Sequence, residues 1–295
     1  MIKKKLFVWV CDYSENSGEG KLARLFIKEL NLQNQFKIIL SQKKIIKNKY
    51  ISTLQGIIYC WNNYLKNEKV CYLNYLPFWN FLIFIFLPPQ TILGPITGGA
   101  NYSKLNIFSY FIRGLIFPLF YKISEFSLKF RGNDLIFSTE LLKKYLFLKT
   151  IKKSKFNFVF KSFFLKKKLK KKIDFLIYYR KHKNIESFFP HNFIKKLIHN
   201  KFKIHVIGDK LNYPHVKNYG KISNKKVLKL QSLANYTLAT GENFYSFFII
   251  ECISNNVKIV ISKNKIYKYK FFKGKFVEIN YNKITDIKKL KMLQQ

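Results

Sequence analysis

The sequence predicts an α/β protein built from two lobes of alternating strands and helices. Its 295 residues are enough for two lobes of roughly 140 residues, each burying its own core. Hydrophobic residues make up 48% of the chain and aromatic residues 18%, which excludes an intrinsically disordered chain although the net charge is +40. Apolar runs of strand length alternate with helix-length segments in both halves, a pattern typical of βαβ units with parallel strands.

The first half of the chain begins with a strand, a glycine loop and a helix. A continuous apolar run at residues 6–11 predicts a parallel strand buried on both faces. A polar loop follows at residues 12–20, and leucine and phenylalanine then recur at helical spacing over residues 21–30. Further strands are predicted at residues 36–40, 70–76, 91–93 and 135–139.

A lysine-rich segment separates the two halves. Residues 151–172 contain ten lysines among aromatic residues, a shift in composition that marks the boundary between lobes. We therefore expect the first lobe to span residues 1–150 and the second to span residues 151–295. Strands of the second lobe are predicted at residues 173–179, 203–208, 236–239, 257–262 and 275–279, with helices at 192–200, 224–233, 247–254 and 286–293.

Two cations follow the first strand of the second lobe. Two successive α/β lobes favour a ligand in the cleft between them, outside the carboxyl ends of the strands. Arg180 and Lys183 come directly after the strand at residues 173–179, where their charges would neutralise a diphosphate. The alternative is that they are two of many surface cations.

Residues 240–251 are the most informative segment. They read Thr-Gly-Glu-Asn-Phe-Tyr-Ser-Phe-Phe-Ile-Ile-Glu and place a polar loop between a strand and a helix. Ser246 is expected to cap this helix, whose free amide groups favour a phosphate. Glu251 then lies one turn or more inside the helix, where a carboxylate can accept hydrogen bonds from a ribose diol. An ordinary exposed helix residue is the alternative for Glu251.

With these residues the chain resembles the GT-B glycosyltransferases, in particular the large retaining group with two glutamates, separated by seven residues, in the carboxyl-terminal lobe. The resemblance covers most of the chain and implies two Rossmann-like lobes facing each other across a cleft. It implies that Arg180 and Lys183 bind the donor phosphates and that Glu251 holds the nucleotide ribose. Gly220 stands where the family has a glycine before the helix that leads to the donor loop.

The chain departs from the family pattern around the first glutamate. Eight residues separate Glu242 from Glu251, and the family spacing falls on Asn243. Residues 244–246 replace the usual Gly-x-Gly segment, so the amide and hydroxyl of Ser246 are expected to replace the glycine loop at the phosphate. All five histidines lie beyond residue 180, whereas many relatives carry an active-site histidine in the first lobe.

The resemblance implies three sets of site residues. Glu242, Arg180 and Lys183 are expected to be catalytic. Gly18 and Gly20 look like a glycine loop that approaches the donor phosphates, although a simple turn is the alternative. The full donor-binding set is Gly18, Gly20, Gly220, Asn243, Tyr245, Ser246, Phe247 and Glu251. A loop similar to one seen in several such transferases, on the acceptor side, comprises Gly94, Pro95, Thr97, Gly98 and Gly99.

The resemblance implies transfer of a sugar from a nucleotide-diphosphate donor to a glycan or lipid-linked glycan, in the synthesis of lipopolysaccharide or another surface polysaccharide. It also implies retention of anomeric configuration. The sequence contains no Asp-x-Asp, so we expect no metal site and no cofactor, with cations and helix dipoles stabilising the departing diphosphate. A catalytically inactive sugar-nucleotide binder is an alternative, because the Glu242 spacing is shifted.

The charge predicts an anionic partner or a solvated basic surface. Only four of the 55 basic residues are arginine, and nucleic-acid sites that read sequence favour the arginine fork. We therefore expect an anionic membrane surface, and a nucleic-acid-binding protein is the alternative. The expected membrane contacts are the aromatic stretch at residues 107–121 and the lysines of residues 152–172, interleaved with Phe156, Phe158, Phe160, Phe163 and Phe164.

Cysteine usage and apolar runs favour a cytoplasmic protein at the inner face of the membrane. The four cysteines form no C-x-x-C pair, which predicts reduced thiols. The apolar run at residues 6–11 is too short for a signal peptide. The longer apolar stretches at residues 78–88 and 107–121 do not reach the roughly 20 uninterrupted residues that a spanning helix needs.

Overall fold

The computed structural model describes residues 3–41, 49–99, 111–131, 134–164, 169–181, 186, 189–239, 244–262, 272 and 274–292. Three predicted site residues, Lys183, Glu242 and Asn243, lie outside the described residues. The chain divides into an amino-terminal unit, Met1–Lys161, and a carboxyl-terminal unit, Ser162–Gln295.

The amino-terminal unit is organised around a parallel sheet. Its strands are β1 (Lys5–Trp9), β2 (Lys37–Leu40), β3 (Lys69–Tyr72) and β4 (Ile92–Leu93), in the order β2-β1-β3-β4. A second parallel pair consists of β5 (Leu135–Ile136) and β6 (Ser154–Lys155), and a bridge between Ile96 and Phe137 connects the segments after β4 and β5. The predicted strand at residues 70–76 is shorter in the structure, because the chain turns at Tyr75, where φ is 52°.

Helices connect these strands. They are α1 (Gly18–Glu29), α2 (Leu32–Gln35), α3 (Lys49–Tyr64), α4 (Phe81–Phe86), α5 (Phe117–Lys129) and α6 (Leu148–Lys152). A π-helical turn, Ile112–Ile116, leads into α5, whose first turn contains a proline. Proline is tolerated there because the N–H groups of a first helical turn have no intrahelical partner.

Helix α3 crosses the sheet at a glycine. A Cβ atom on Gly56 would lie 2.4 Å from Nε1 of Trp9 and 2.6 Å from the Tyr72 ring. Both rings are buried, on β1 and β3 respectively. Only glycine allows the helix to approach the sheet this closely, and Trp9 and Tyr72 form part of the core of this unit, together with Phe78, Phe84 and Phe137.

The described part of the carboxyl-terminal unit is organised around a parallel sheet with helices between its strands. The strands are β7 (Ile173–Tyr179), β8 (Ile204–Gly208), β9 (Val216–Asn218), β10 (Ala234–Leu238), β11 (Lys258–Ser262) and β12 (Phe276–Ile279). The helices are α7 (His191–His199), α8 (Asn224–Leu233), α9 (Phe247–Ser254) and α10 (Ile284–Met292). The strand order β9-β8-β7-β10-β11-β12 is that of a doubly wound nucleotide-binding sheet.

The sheet of this unit is buried on both faces. Phe175, Ile177 and Tyr179 of β7 contribute to one core cluster, whereas Leu176 contributes to the cluster on the other face. This explains the continuous apolar sequence of β7, because alternate side chains of a strand point to opposite faces. The prediction of an α/β fold with parallel sheets is confirmed.

The cysteines are all free. Cys60, Cys71 and Cys252 are buried, and Cys11 is half-buried. Burial raises the pKa of each thiol, to about 12 for Cys60. These thiols therefore stay protonated near neutral pH. Separately, no helix in the described part of the chain combines the length and the apolarity needed to cross a bilayer.

Candidate functional site

The strand order of the carboxyl-terminal unit reverses between β7 and β10. The chain runs outward from β7 through β8 to β9 and then returns to place β10 on the other side of β7. Open α/β sheets bind ligands outside the carboxyl ends of the strands at such a reversal. Arg180 follows β7 and helix α9 follows β10, so the elements predicted to bind the donor start from neighbouring strand ends.

Arg180 is exposed at this strand end. The backbone on either side of it is held by Asp209, which follows β8. The Asp209 N–H donates to the Tyr179 carbonyl at 2.9 Å, and the Asp209 carboxylate accepts from the Lys181 N–H at 2.8 Å. These bonds fix the backbone on both sides of Arg180, whose side chain is exposed at the sheet edge.

A hydrogen-bonded group of side chains lies beside Arg180. The Tyr179 hydroxyl donates to the Glu186 carboxylate at 2.8 Å, and Glu186 is 3.1 Å from Nε2 of His191. Nδ1 of His191 is 2.9 Å from the Tyr213 hydroxyl. Burial, reinforced by the bond to Glu186, raises the pKa of Tyr179 to about 12. This group connects the end of β7 with the start of α7 and holds Glu186 against the sheet.

Ser246 caps helix α9, as the sequence predicts. Oγ of Ser246 accepts a hydrogen bond from the Ile249 N–H at 3.3 Å, and Ser246 is exposed. The first turn of a capped helix presents N–H groups and a positive dipole end to an anion. Glu251 is the fifth residue of this helix and is only 7% exposed, so the alternative of an ordinary exposed helix residue is wrong.

The aromatic residues next to Ser246 lie mostly inside the unit. Tyr245 is buried, and its ring centroid is 5.6 Å from that of Phe272. Phe247 is half-buried. Of these two predicted donor-binding residues, Phe247 has the more accessible side chain, and Tyr245, whose ring is buried, is available to a ligand only through its backbone atoms.

Gly220 lies after β9, with φ at 68°, a left-handed conformation that favours glycine. Its carbonyl accepts a hydrogen bond from the Gly208 N–H at 3.0 Å. Gly208 is a structural glycine that sequence reasoning missed. A Cβ atom on Gly208 would lie 2.2 Å from the Tyr179 carbonyl oxygen, so glycine is required where β8 ends against β7.

The sheet of the amino-terminal unit has its own reversal, between β1 and β3. Asp12 and Glu19 follow β1, and Asn74 and Tyr75 follow β3. Oδ1 of the buried Asn74 accepts from the Asp12 N–H at 3.2 Å, and Nδ2 donates to the Glu19 carbonyl at 3.2 Å. The Tyr75 N–H donates to the Glu19 carboxylate. These four residues, which sequence reasoning missed, form one cluster at the edge where a ligand is expected.

The two carboxyl groups of this cluster have pKa shifts in opposite directions. Burial raises the pKa of Glu19, although a hydrogen bond from the Tyr75 N–H opposes the rise. Burial also acts to raise the pKa of Asp12, but hydrogen bonds from Ser17 and Ser14 outweigh it and bring the pKa below its usual value. Pairs of carboxyl groups whose pKa values are driven apart are typical of functional sites.

The two glycines predicted to form a loop before α1 belong to the helix itself. Ser17 caps α1 by accepting a hydrogen bond from the Gly20 N–H at 2.9 Å, so Gly18 and Gly20 fall in the first turn. This corrects the predicted helix start at residue 21. A Cβ atom on Gly20 would lie 2.3 Å from the Ser14 carbonyl oxygen, which explains glycine at this position by the close approach of the preceding loop.

The predicted acceptor-side loop lies after β4. Gly94, Pro95 and Gly99 are buried, and a Cβ atom on Gly94 would lie 2.5 Å from the Leu73 carbonyl oxygen. Thr97 and Gly98 are half-buried. The Thr97 N–H donates to the Leu76 carbonyl at 2.9 Å. Most of this loop is therefore packed against the segment after β3, and Thr97 and Gly98 are its more accessible members.

No group of three or more histidine, cysteine, aspartate or glutamate side chains is arranged to hold a metal ion within the described ranges. The chemistry that the two strand edges offer is therefore that of an exposed guanidinium and a helix amino terminus in one unit, and of two carboxyl groups in the other. The guanidinium and the helix amino terminus suit an anion. The two carboxyl groups suit hydroxyl groups.

The chain is similar in structure to glycosyltransferases and to a protein named as a UDP-N-acetylglucosamine 2-epimerase. A glycosyltransferase from Rickettsia africae ESF-5 has a TM-score of 0.51 at 12% identity, with 99% of this chain and 88% of that chain covered. An alpha-glucosyltransferase in complex with UDP and DNA has a TM-score of 0.51 at 9% identity, covering 99% and 90%. A Listeria monocytogenes protein named as a UDP-N-acetylglucosamine 2-epimerase has a TM-score of 0.50 at 11% identity, covering 100% and 88%.

In sequence comparisons, no family model matches the chain and no curated protein matches it. The structural likeness, at these low identities, concerns the fold. It extends over nearly the whole chain and agrees with the two doubly wound sheets. The chain therefore has the α/β fold of the GT-B glycosyltransferases, with two Rossmann-like lobes.

Proposed function

We propose that the protein is a glycosyltransferase that moves a sugar from a nucleotide-diphosphate donor to a glycan or lipid-linked glycan. The observation that carries the proposal is the position of Arg180, exposed at the β7/β10 reversal of a doubly wound sheet, next to the strand that leads to the capped helix α9. A nucleotide diphosphate has the charge and the shape that such an edge binds. The fold shared with glycosyltransferases supports the transfer reaction.

In this proposal the carboxyl-terminal unit binds the donor. Arg180 and Lys183 stabilise the negative charge of the diphosphate as its bond to the anomeric carbon breaks, and the amide groups after Ser246 bind a phosphate oxygen. Glu251 accepts hydrogen bonds from the ribose hydroxyls. Glu242 is assigned to the sugar end of the donor. The reaction needs neither a cofactor nor a metal ion, and it retains the anomeric configuration.

The amino-terminal unit binds the acceptor. Asp12 and Glu19 are positioned at a sheet edge where sugar hydroxyls can donate to their oxygens. Thr97 and Gly98 offer further polar contacts after β4. A glycan of the cell surface, such as lipopolysaccharide, is the proposed acceptor, because these groups fit a polyhydroxylated ligand.

The donor is tested by isothermal titration with a panel of UDP-, GDP- and dTDP-sugars, followed by measurement of sugar transfer with the donors that bind. We expect one nucleotide to bind and its diphosphate to be released on addition of a glycan acceptor. Binding without release in the presence of any acceptor would favour the inactive sugar-nucleotide binder. Binding of nucleic acid without binding of any donor would overturn the proposal.

Arg180→Ala tests the phosphate contact. We expect this variant to lose roughly tenfold in affinity for the nucleoside diphosphate, because a charge-assisted bond at an exposed site is partly screened by solvent. Affinity for the free nucleoside should change little. Lys203→Ala is the matched control. It removes an exposed cation just before the amino end of β8, whereas Arg180 follows the carboxyl end of β7. Equal losses for nucleotide and nucleoside, or for both variants, would remove Arg180 from the phosphate site.

A further inference from the structure

Several exposed apolar side chains lie on two neighbouring helices of the amino-terminal unit, α4 and α5. On α5 and the turn before it, Phe111, Leu115 and Leu119 are four residues apart, as are Phe126 and Phe130, and this spacing places them along one side of the helix. Helix α4 adds three more exposed side chains. We call the following set the apolar face: Leu82, Ile85, Phe86, Phe111, Leu115, Leu119, Phe126 and Phe130.

The side chains on the opposite side of α5 pack into the core of the unit. Tyr121 and Leu128 are buried, and Oγ of Ser124 donates to the Phe78 carbonyl at 2.6 Å. The Glu125 carboxylate accepts from the Phe147 N–H at 2.8 Å. The inner side of α5 is therefore packed and hydrogen-bonded, and the apolar face is the side of this helix that is exposed to solvent.

The two helices that carry the apolar face are held together. The Arg131 guanidinium, just after α5, donates to the carbonyls of Phe84, Leu87 and Pro88 at 2.7, 2.6 and 2.7 Å, which satisfies the carboxyl end of α4. The rings of Phe81 and Phe120 also pack with centroids 5.0 Å apart. The two helices that carry the apolar face are therefore packed against and hydrogen-bonded to each other.

The sequence around the apolar face contains few acidic residues. Between Glu68 and Asp134 the sequence contains a single acidic residue, Glu125, which is buried and lies 3.3 Å from the Lys122 ammonium. Lys129 is exposed on the same helix. Exposed leucine and phenylalanine among lysines, without exposed carboxylates, is the composition of helices that lie in the interface of an anionic bilayer.

The lysine-rich segment, by contrast, does not present the aromatic surface that its sequence predicts. Phe158 is buried, and Phe156 stacks on Phe137 with ring centroids 5.0 Å apart, so both belong to the interior of the amino-terminal unit. Phe160 and Phe163 are half-buried, and Phe164 is exposed. The interleaved phenylalanines thus serve mainly to pack this segment. Of the predicted stretch at residues 107–121, residues 107–110 lie outside the described residues, and Phe111, Leu115 and Leu119 belong to the apolar face.

We propose that the apolar face docks on an anionic membrane surface, with Leu115, Leu119 and Phe126 inserted between the lipids and the exposed Lys129 at the headgroups. A bilayer interface accepts both parts of this surface, because it offers acyl chains directly below anionic phosphates. The proposal does not depend on the donor site, which belongs to the other unit.

The test is flotation of the full chain with vesicles of phosphatidylcholine containing phosphatidylglycerol, and with vesicles of phosphatidylcholine alone. We expect binding to the anionic vesicles at low salt and release at high salt, since part of the attraction is electrostatic. The variant Leu115→Gln/Leu119→Gln should lower the partition coefficient by at least about tenfold, because it removes two inserted apolar side chains. Both side chains are largely exposed, at 64% and 61%, so the fold should be kept.

The matched control is Ile284→Gln/Met292→Gln on α10, which removes two equally exposed apolar side chains, at 57% and 72%, from the other unit. This control should bind vesicles like the unchanged protein. Thermal unfolding of all three proteins checks their folding, and light scattering measures their mass. The proposal is wrong if both variants bind vesicles equally, or if the unchanged protein does not bind anionic vesicles. It is also wrong if the unchanged protein is a dimer that Leu115→Gln/Leu119→Gln separates, because a second copy of the chain then covers the apolar face.

Discussion

Glu19 and Asp12 follow the same strand, but their environments have opposite effects on ionisation. The folded protein favours the protonated form of Glu19, because burial raises its pKa above the ordinary value of 4.5. Asp12 is held ionised by hydrogen bonds from Ser14 and Ser17. The ionised form of Glu19 therefore reduces the free energy of unfolding at neutral pH. A destabilising carboxylate at a sheet edge is more typical of a functional residue than of a structural one.

Glu19→Gln should increase the free energy of unfolding near neutral pH. A raised pKa means that the stability contributed by protonated Glu19 is lost as the pH rises through the folded-state pKa, and glutamine stays neutral throughout. The amide oxygen can still accept from the Tyr75 N–H. The difference between the variant and the unchanged protein should shrink as the pH falls towards 4.5, the ordinary pKa of a glutamate. Urea unfolding over this pH range measures the difference.

Glu15→Gln is the control for this measurement, because Glu15 is an exposed glutamate in the loop directly before α1. It should leave the free energy of unfolding near neutral pH close to that of the unchanged protein, because substitutions of exposed side chains usually change stability little. If Glu19→Gln is less stable than the unchanged protein at every pH, the carboxylate is stabilised by its surroundings and the interpretation of Glu19 is wrong.

Among the elements, α3 depends most clearly on one residue. Gly56→Ala should lower the free energy of unfolding by about 1–3 kcal/mol, the usual cost of overpacking a core. The added methyl group would lie 2.4 Å from Nε1 of Trp9, whose ring is buried against Tyr59 and cannot move aside. Urea unfolding monitored by tryptophan fluorescence measures the loss.

Gly114→Ala is the comparison, since a Cβ atom there would meet nothing within 4 Å. It should be neutral, or stabilising by up to about 1 kcal/mol, because alanine is the better helix former. A loss of stability at Gly114 as large as that at Gly56 would show that backbone conformation, and not contact with Trp9, decides both effects.

Elements with a strong sequence pattern could be predicted well, and those without one could not. The predicted bounds of β7, α8 and α9 agree with the structure because each has a clear apolar pattern between polar ends. The three-residue strand β9 is too short and too polar to show a period of two. Helix α1 begins before its apolar pattern, because its first turn is set by the Ser17 cap rather than by burial.

At the scale of the whole molecule, the order of strands explains why the sequence indicated one site better than the other. Arg180 and Ser246 could be found because each directly adjoins an element of clear pattern. Asn74 and Tyr75 could not, since their importance comes from the pairing of β3 with β1, and strand order is a non-local property. Close contacts that only glycine permits, such as that of Gly208 with β7, cannot be predicted from a single sequence either.

The carboxyl-terminal unit should fold without the rest of the chain. Among the described residues, its six strands pair with one another, and both faces of its sheet are covered by side chains of the same unit. Its first residues are also held within it: the Phe164 N–H donates to Oγ of Ser254, and the Phe163 ring lies 4.9 Å from the Lys275 ammonium. A fragment of residues 162–295 should therefore unfold in one cooperative transition in urea.

A fragment of residues 162–283 tests whether that cooperativity comes from the core. It lacks α10, whose Ile287 and Leu290 are fully buried against β7 and its neighbours. Loss of two such side chains should cost about 2–5 kcal/mol each, which is comparable to the whole stability of a domain. We expect this shorter fragment to lose its sharp transition and to bind a hydrophobic dye. If residues 162–295 behave in the same way, the core of this unit is incomplete without residues 1–161, and the two units are one folding unit.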